Sequence, residues 1–397
     1  MGSTDGEFGA MTSNQLCLLL STTLLTGTTT IASAAATRYV SARIPVIGAA
    51  REIGATRPPG LSPAPASMTP AGAPANSWTQ LATLPGAVVH DVAFSSASTG
   101  FAAAELGQVW RTTDGGKTWA MVLNRNFPYY YYGISVKGNE VIASGFNDDN
   151  SEAILTISHD GGAKWGKDIV LSTSAWGGRV RYVHGGMDGL AMNGEGLANP
   201  GPNAAWWTTA KNSWAQVTPD PNGGWFGYQF TLLSDQTAYA SGINYCSSQN
   251  TGATWSCGPS ADSVFDGPTQ FVSDKIGWTG GGEISPNVAG WLHTTTDGGA
   301  HWSGRVLTTA FPIRQIEFLN KKIGWAAGGN VYSGVGGIYY SADGGKTWSL
   351  DVTTGAEMDA CANASPGNGQ TQVWCIGYTQ ANGNFTSAVY STTVPTP

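Results

Sequence analysis

Charge is scarce in this chain. Aspartate, glutamate, lysine and arginine together make up 11% of 397 residues, well below the usual quarter, which excludes a coiled coil and a charge-solvated disordered chain. No block of lysine or arginine occurs. Phosphate binding needs clustered cations, so nucleic acid is not an expected partner, and an anionic lipid surface is disfavoured on the same ground. Only five histidines are present, widely scattered. With no His-Glu-x-x-His and no Cys/His cluster at ligand spacing, no metal site is expected. No Gly-x-Ser-x-Gly nucleophile turn occurs either. The one apolar run, Leu16–Leu25, is too short and threonine-rich to span a membrane.

Cysteine is also sparse, five in all. Cys17 lies in that apolar run. The others form two close pairs, Cys246 with Cys257 and Cys361 with Cys375, which reads as two local disulfides in an oxidising compartment. Four buried free thiols are the competing reading. Asn363-Ala-Ser and Asn384-Phe-Thr are glycosylation sequons, which arise often by chance.

Residues 1–36 read as a leader. Met1–Ala10 resembles an alternative start, and from Met11 the apolar run is followed by Ala32-Ser33-Ala34, a small-residue cleavage pattern typical of secretion. A basic n-region is missing, since no Lys or Arg precedes Arg38, so an organelle transit peptide competes. Residues 37–76 form a Pro/Ala-rich pro-segment or linker without a core-forming pattern. Arg43-Ile44-Pro45 matches a tripeptide of sialidases, but it precedes the linker and reads as coincidence.

What the chain has in plenty is glycine, 55 residues, and tryptophan, 16, and these recur with a period. Thr112-Thr-Asp-Gly-Gly-Lys-Thr-Trp119 is repeated as Ser158–Trp165, Thr295–Trp302 and Ser341–Trp348. Ser248–Trp255 keeps the frame with Asn250 in place of Asp, and Thr208–Trp214 is a degenerate copy one residue short. These are Asp boxes. Asp-Gly-Gly supplies the left-handed backbone of a tight turn, and the carboxylate accepts turn amide hydrogens. Asp114, Asp160, Asn250, Asp297 and Asp343 are therefore expected to build turns, not to perform chemistry.

The box tryptophans fall about 45 residues apart, and each interval holds four short β-runs, as in Tyr131–Val136, Val141–Phe146, Ala153–Ile157 and Gly166–Val170. Four strands at this period make a propeller blade. The expected fold over residues 77–397 is an all-β, seven-bladed β-propeller of four-stranded Asp-box blades. N- and C-terminal strands, Ser77–Gln80 and Val389–Thr392, would close one blade and remove open edges; six blades is the alternative.

Around the boxes, Ile276-Gly-Trp278 with Thr279-Gly-Gly, Ile323-Gly-Trp325 with Ala326-Ala-Gly, and Thr99-Gly-Phe101 with Ala102-Ala follow a pattern Phe-x5-Gly-Trp. This resembles the photosystem II assembly-factor propellers of the Ycf48 and HCF136 type and their non-photosynthetic relatives. The resemblance implies a seven-bladed, non-enzymatic propeller that binds protein. Those factors use an arginine patch, whereas only six arginines follow residue 76 here.

In such a ring the box turns occupy one face, and the other loops surround the channel on the opposite face. Among the long loops expected there are 123–132, 171–179, 193–206, 218–228 and 280–291, carrying Tyr129–Tyr132, Trp176, Trp206-Trp207, Trp225-Phe-Gly-Tyr228 and Trp291. Aromatics so placed suit sugar faces or a protein hot spot. The innermost strands are expected to bring His90, Asp91, Tyr132, Arg179, Arg181, Tyr228, Asp266, Arg314 and Glu357 together. With Trp176, Trp225 and Glu283 these are the candidate ligand-binding residues. A glycosidase would need two carboxylates about 5–10 Å apart, with Glu195, Asp266, Glu283 and Glu357 as candidates; a polysaccharide lyase would use His90 or His184 with Tyr132 or Tyr228. No cofactor is expected, apart from Ca²⁺ at the oxygen-rich Asn147-Asp-Asp-Asn150 as an alternative to solvated turn residues. The expectation is a secreted, monomeric, non-catalytic scaffold binding a glycan or a protein. A carbohydrate-active enzyme at the channel mouth and a photosystem-assembly-like chaperone in an organelle lumen are the alternatives.

Overall fold

A computed structural model describes residues 76–396 apart from 183–189, 197–202, 209–214, 218–230, 235, 242–243, 251, 260, 262–265, 284–287, 332 and 382–383. The described strands are β1 (Thr79–Pro85), β2 (Val89–Phe94), β3 (Gly100–Ala104), β4 (Gln108–Thr112), β5 (Ala120–Asn124), β6 (Tyr129–Lys137), β7 (Glu140–Asn147), β8 (Glu152–Ser158), β9 (Ile169–Ser172) and β10 (Ala175–Tyr182). They continue as β11 (Leu190–Gly196), β12 (Asn203–Thr208), β13 (Ala215–Val217), β14 (Thr231–Leu232), β15 (Ala238–Ser241), β16 (Asn244–Ser248), β17 (Ser256–Pro259), β18 (Asp266–Phe271) and β19 (Gly277–Glu283). The last are β20 (Ala289–Thr295), β21 (Leu307–Thr309), β22 (Ile313–Phe318), β23 (Gly324–Asn330), β24 (Val335–Ser341), β25 (Ser349–Thr353), β26 (Glu357–Ala364), β27 (Gln370–Ala381) and β28 (Asn384–Pro395).

These strands form seven four-stranded antiparallel sheets, six of them consecutive quartets from β2 to β25. The remaining sheet has the order β1-β28-β27-β26, with Thr79 opposite Ser391 and Pro85 opposite Thr386. Both ends of the described chain thus share one blade of an all-β propeller.

Each Asp box builds its turn as its residue types dictate. Asp114 Oδ1 accepts from the amides of Lys117 and Thr118, and Oδ2 from the Thr118 hydroxyl at 2.6 Å. Asp343 repeats the set with Lys346 and Thr347. Asp160 accepts from Lys164 N, Asp297 from His301 N, and the Asn250 amide oxygen from Thr254 N. These bonds favour the carboxylate, and they hold the Asp114 and Asp297 carboxyls down at about 2. The five box residues are turn-builders.

The box also fastens one blade to the next. Phe94 stacks flat on Trp374 of the preceding blade at 3.6 Å and meets its own box residue Trp119 edge-on at 6.1 Å. Trp374 Nε1 then donates to the Gly115 carbonyl at 2.8 Å. Phe318 repeats this with Trp278 at 3.5 Å and Trp348 at 5.8 Å, and Trp278 Nε1 donates to Gly344 O. In a third seam, the Tyr245 hydroxyl donates to Gly298 O at 2.7 Å. The Phe-x5-Gly spacing follows from this packing. A Cβ at Gly100 or Gly277 would lie 2.6 Å from the ring of Phe94 or Phe271. In the sheet β1-β28-β27-β26, which has no box, Trp78 takes the corresponding place. It meets Trp325 edge-on at 6.4 Å and donates from Nε1 to Asp351.

The cysteine pairs are directly opposed across strands, Cys246 with Cys257 on β16–β17 and Cys361 with Cys375 on β26–β27, and both are disulfides. No helix among the described residues is long and apolar enough to cross a membrane.

Candidate ligand-binding face at the channel mouth

Six of the innermost strands share an irregularity that positions the site. Register shifts fall between Val89 and Asp91 in β2, Tyr131 and Gly133 in β6, and Gly177 and Val180 in β10. They recur between Asp266 and Thr269 in β18, Ile313 and Gln315 in β22, and Met358 and Ala360 in β26. A bulge inserts an extra residue and re-aims its side chain. The residues inside these shifts include His90, Tyr132, Arg179, Arg314 and Asp359, and most of them meet.

His90 lies at the centre, with 9% of its surface exposed. Nδ1 contacts Asp359 Oδ2 at 3.0 Å and Nε2 contacts Glu105 Oε1 at 3.3 Å. Tyr132 stacks on the imidazole at 4.3 Å, and Tyr378 meets it edge-on. Burial alone pushes the imidazole down, but the two carboxylates outweigh it and lift the pKa to about 9. His90 is therefore a cation at neutral pH.

Arg179 reaches across the channel. Its guanidinium donates to Gln315 Oε1 at 2.9 Å, His90 O at 2.9 Å and Asp359 O at 2.6 Å. Arg181 forks onto Asp91, Nη1 to Oδ2 at 2.6 Å and Nη2 to Oδ1 at 2.9 Å. Arg314 pairs with Glu357 at 3.1 Å, both nearly buried; burial raises the Glu357 carboxyl, and Arg314 opposes the rise. Glu317 accepts from Asn363, and burial lifts its pKa to about 7.

Among the expected ligand-binding residues, the structure thus gathers His90, Tyr132 and Arg179 in one contact network, with Arg181 and Arg314 in ion pairs on β10 and β22. Trp176, Asp266 and Glu283 belong to β10, β18 and β19. Trp225, Tyr228 and His184, like residues 1–75, lie outside the described residues. Glu105, Gln315, Glu317, Asp359 and Tyr378 were not anticipated.

The expected aromatic loops need correction. Tyr129–Tyr132 begin β6, Trp206 and Trp207 lie in β12 and Trp291 in β20. Tyr131 and Trp291 are buried, at 0% and 2% exposure. The strands are longer than the hydrophobic pattern suggested, and in β6 a bulge between Tyr131 and Gly133 interrupts the pairing. Asn147–Asn150 form the end of β7 and the turn after it, where Asn147 and Asn150 donate to Glu152. No metal-holding group of three or more His, Cys, Asp or Glu occurs among the described residues.

Residues 71–189 match the family described as photosynthesis system II assembly factor YCF48. No curated protein sequence matches the chain. The solved structure of YCF48 bound to D1 peptide is 20% identical, with a TM-score of 0.57 over 82% of this chain and 98% of that one. YCF48 from Cyanidioschyzon merolae is 19% identical, with a TM-score of 0.52 over 78% and 98%. The WD40 β-propeller domain of Doa1, at 11% identity, gives 0.56 over 79% and 97%. At these identities the likeness to solved structures speaks for the fold.

Proposed function

We propose that this Asp-box (BNR-type) propeller, similar to the YCF48 assembly factors, is a non-catalytic binding protein that holds a segment of another protein across its channel mouth. The carrying observation is the state of the mouth's charged groups. Glu105 and Asp359 engage His90, Asp91 engages Arg181, and Glu357 engages Arg314. Acids and bases engaged with one another make a rigid, pre-organised surface, which favours binding over proton transfer. A YCF48 structure bound to a D1 peptide supports the same use of a related ring. In this reading the ring has seven blades, closed by the sheet that joins both ends. The protein acts as a monomer in an oxidising compartment, secreted behind residues 1–36, and the two cross-strand disulfides support that setting.

The test presents the purified full chain to a random-peptide display library and, separately, to a panel of polysaccharides, recording binding and release of new sugar ends. Peptide capture that weakens in Tyr132→Ala is expected. Sugar-end release that disappears in His90→Ala would overturn the non-catalytic reading. Glycan retention without any peptide capture would overturn the protein partner.

A further inference from the structure

One seam between blades is incompletely filled. In two of the other seams an apolar side chain three residues beyond a tryptophan packs over the next box. A Cβ built on Gly116 would lie 3.6 Å from Leu81, which follows Trp78, and one on Gly162 would lie 3.6 Å from Val122, which follows Trp119. After Trp255 the same offset gives Gly258, where a Cβ would meet nothing within 4 Å. The ring deeper in this seam is smaller as well. Tyr239 stacks on Phe271 at 3.8 Å, as Trp278 stacks on Phe318. Its hydroxyl donates to Asp274 O, whereas the Trp278 indole reaches a box carbonyl.

The result is an open cavity of about 550 Å³ between β16–β17 and the box that ends at Trp302. A second observation agrees. The second glycine of the box is buried at Gly116, Gly162, Gly252 and Gly345, but Gly299, in the wall of the cavity, is only partly buried. The box follows β20, the third strand of its blade, and so stands at the end opposite the starts of the inner strands, where His90 and Arg179 lie. The cavity is therefore separate from the mouth.

Its lining combines a ring with hydroxyls and carries little charge. Trp302, partly buried, meets the buried Tyr245 edge-on at 5.4 Å. Ser247 and Ser256 are opposed across β16 and β17, which sets their side chains next to each other on one face. Neither hydroxyl is engaged by another group among the described residues. No Asp, Glu, Lys or Arg is among the described lining residues, and His301 at the rim is held by Asp297 at 2.7 Å.

A charged ligand would lose hydration in this cavity without gaining a counter-charge. A purely apolar one would cover the two hydroxyls without meeting them. A small neutral ring with an apolar face and a rim of hydroxyls matches both the indole and the serines. We infer that the seam binds a neutral saccharide, one sugar ring lying against Trp302 with its hydroxyls toward Ser247 and Ser256. The site leaves the mouth free for a protein segment and does not depend on that reading.

The test titrates the full chain with maltose, cellobiose and N,N′-diacetylchitobiose, followed by saturation-transfer NMR, with glucuronate as the charged probe and indole as the purely aromatic one. Binding of at least one neutral disaccharide, and none of glucuronate, is expected. Gly258→Leu puts into this seam the side chain that Leu81 supplies in another, and should abolish binding while keeping the urea midpoint and the peptide capture of the native chain. Ser247→Ala/Ser256→Ala leaves the cavity open and should weaken binding severalfold; this pair decides the matter if the leucine variant does not fold. Absence of disaccharide binding, or binding that survives both seam variants, overturns the site. Binding of indole alone overturns the saccharide. Sugar binding lost in Tyr132→Ala but kept in Gly258→Leu would place the sugar at the mouth and overturn the seam site, leaving the reading of the mouth to its own test.

Discussion

The Arg179 guanidinium donates to the backbone carbonyl of Asp359 at 2.6 Å, joining β10 to β26 across the channel. The same group reaches His90 O and Gln315 Oε1, so one side chain cross-links four inner strands. Arg179→Met removes the donors and leaves buried acceptors unmatched. An unpaired buried acceptor costs about 1–3 kcal/mol, so a loss of roughly 2–4 kcal/mol is expected, measured as a lower denaturation midpoint in urea. Arg179→Lys should restore only part of it, because an ammonium lacks the planar fork. An unchanged midpoint in the methionine variant would show that the contacts are not stabilising.

His90 makes stability depend on alkaline pH. Its folded pKa of about 9 lies above the ordinary 6.5, so its contribution is fully present below pH 6.5 and lost as pH rises through 9. The shift corresponds to at most about 3 kcal/mol. Melting temperatures from pH 6 to 10 should fall more steeply for the native chain than for His90→Gln. Parallel curves would remove the imidazole from the explanation.

Glu317 acts in the same sense in a lower pH window. Its carboxyl is raised from 4.5 to about 7 by burial, so the fold favours the neutral form and stability falls as pH rises from 4.5 through 7. Glu317→Gln, isosteric and always neutral, is expected to be more stable than the native chain at pH 8 and similar to it at pH 4. Equal stability at both would count against a buried charge that the fold disfavours.

The blade seam predicts a difference between two glycines that are both left-handed. Gly345 has φ 82°, and a Cβ there would lie 2.7 Å from Trp278 Nε1; Gly138 has φ 61° with nothing within 4 Å. Gly138→Ala should cost about 1 kcal/mol, the left-handed penalty alone. Gly345→Ala adds overpacking, typically another 1–3 kcal/mol. Similar midpoints for the two variants would mean that the tryptophan yields without cost.

The disulfide Cys361–Cys375 spans a sequence separation of 14, for which chain entropy gives a stabilisation of about 3 kcal/mol. Cys361→Ala/Cys375→Ala is expected to lower the urea midpoint accordingly, and a reductant should then have less effect on the variant than on the native chain.

The repeat was legible because the box residues act locally. Asp114 and its counterparts bond within their own turns, so short-range spacing was enough to find them. The pairing of Ser77–Gln80 with the C-terminal strands was legible because Trp78 stands where a box tryptophan would. The mouth was only partly legible. His90, Tyr132 and Arg179 were placed near one another by aligning strand starts, but the bulges that bring them together leave no pattern in composition. Glu105 and Asp359 were missed because each becomes a partner of His90 only through folding, at separations of 15 and 269 residues. Tyr129 and Tyr130 were mistaken for loop residues, ahead of the strand expected from Tyr131, because four successive aromatics erase the alternation that marks a half-buried strand.

The sheet that joins β1 to β28 gives the molecule a mechanical clasp. Thr79 opposite Ser391 and Pro85 opposite Thr386 place both ends of the described chain at the same edge of one antiparallel pair. A pull on the two ends would therefore act on these pairs one after another, as on a zipper, and not on the whole ladder in shear. Under tension the ring should open at β1–β28 before any other blade gives way, with the two strands peeling from the termini inward.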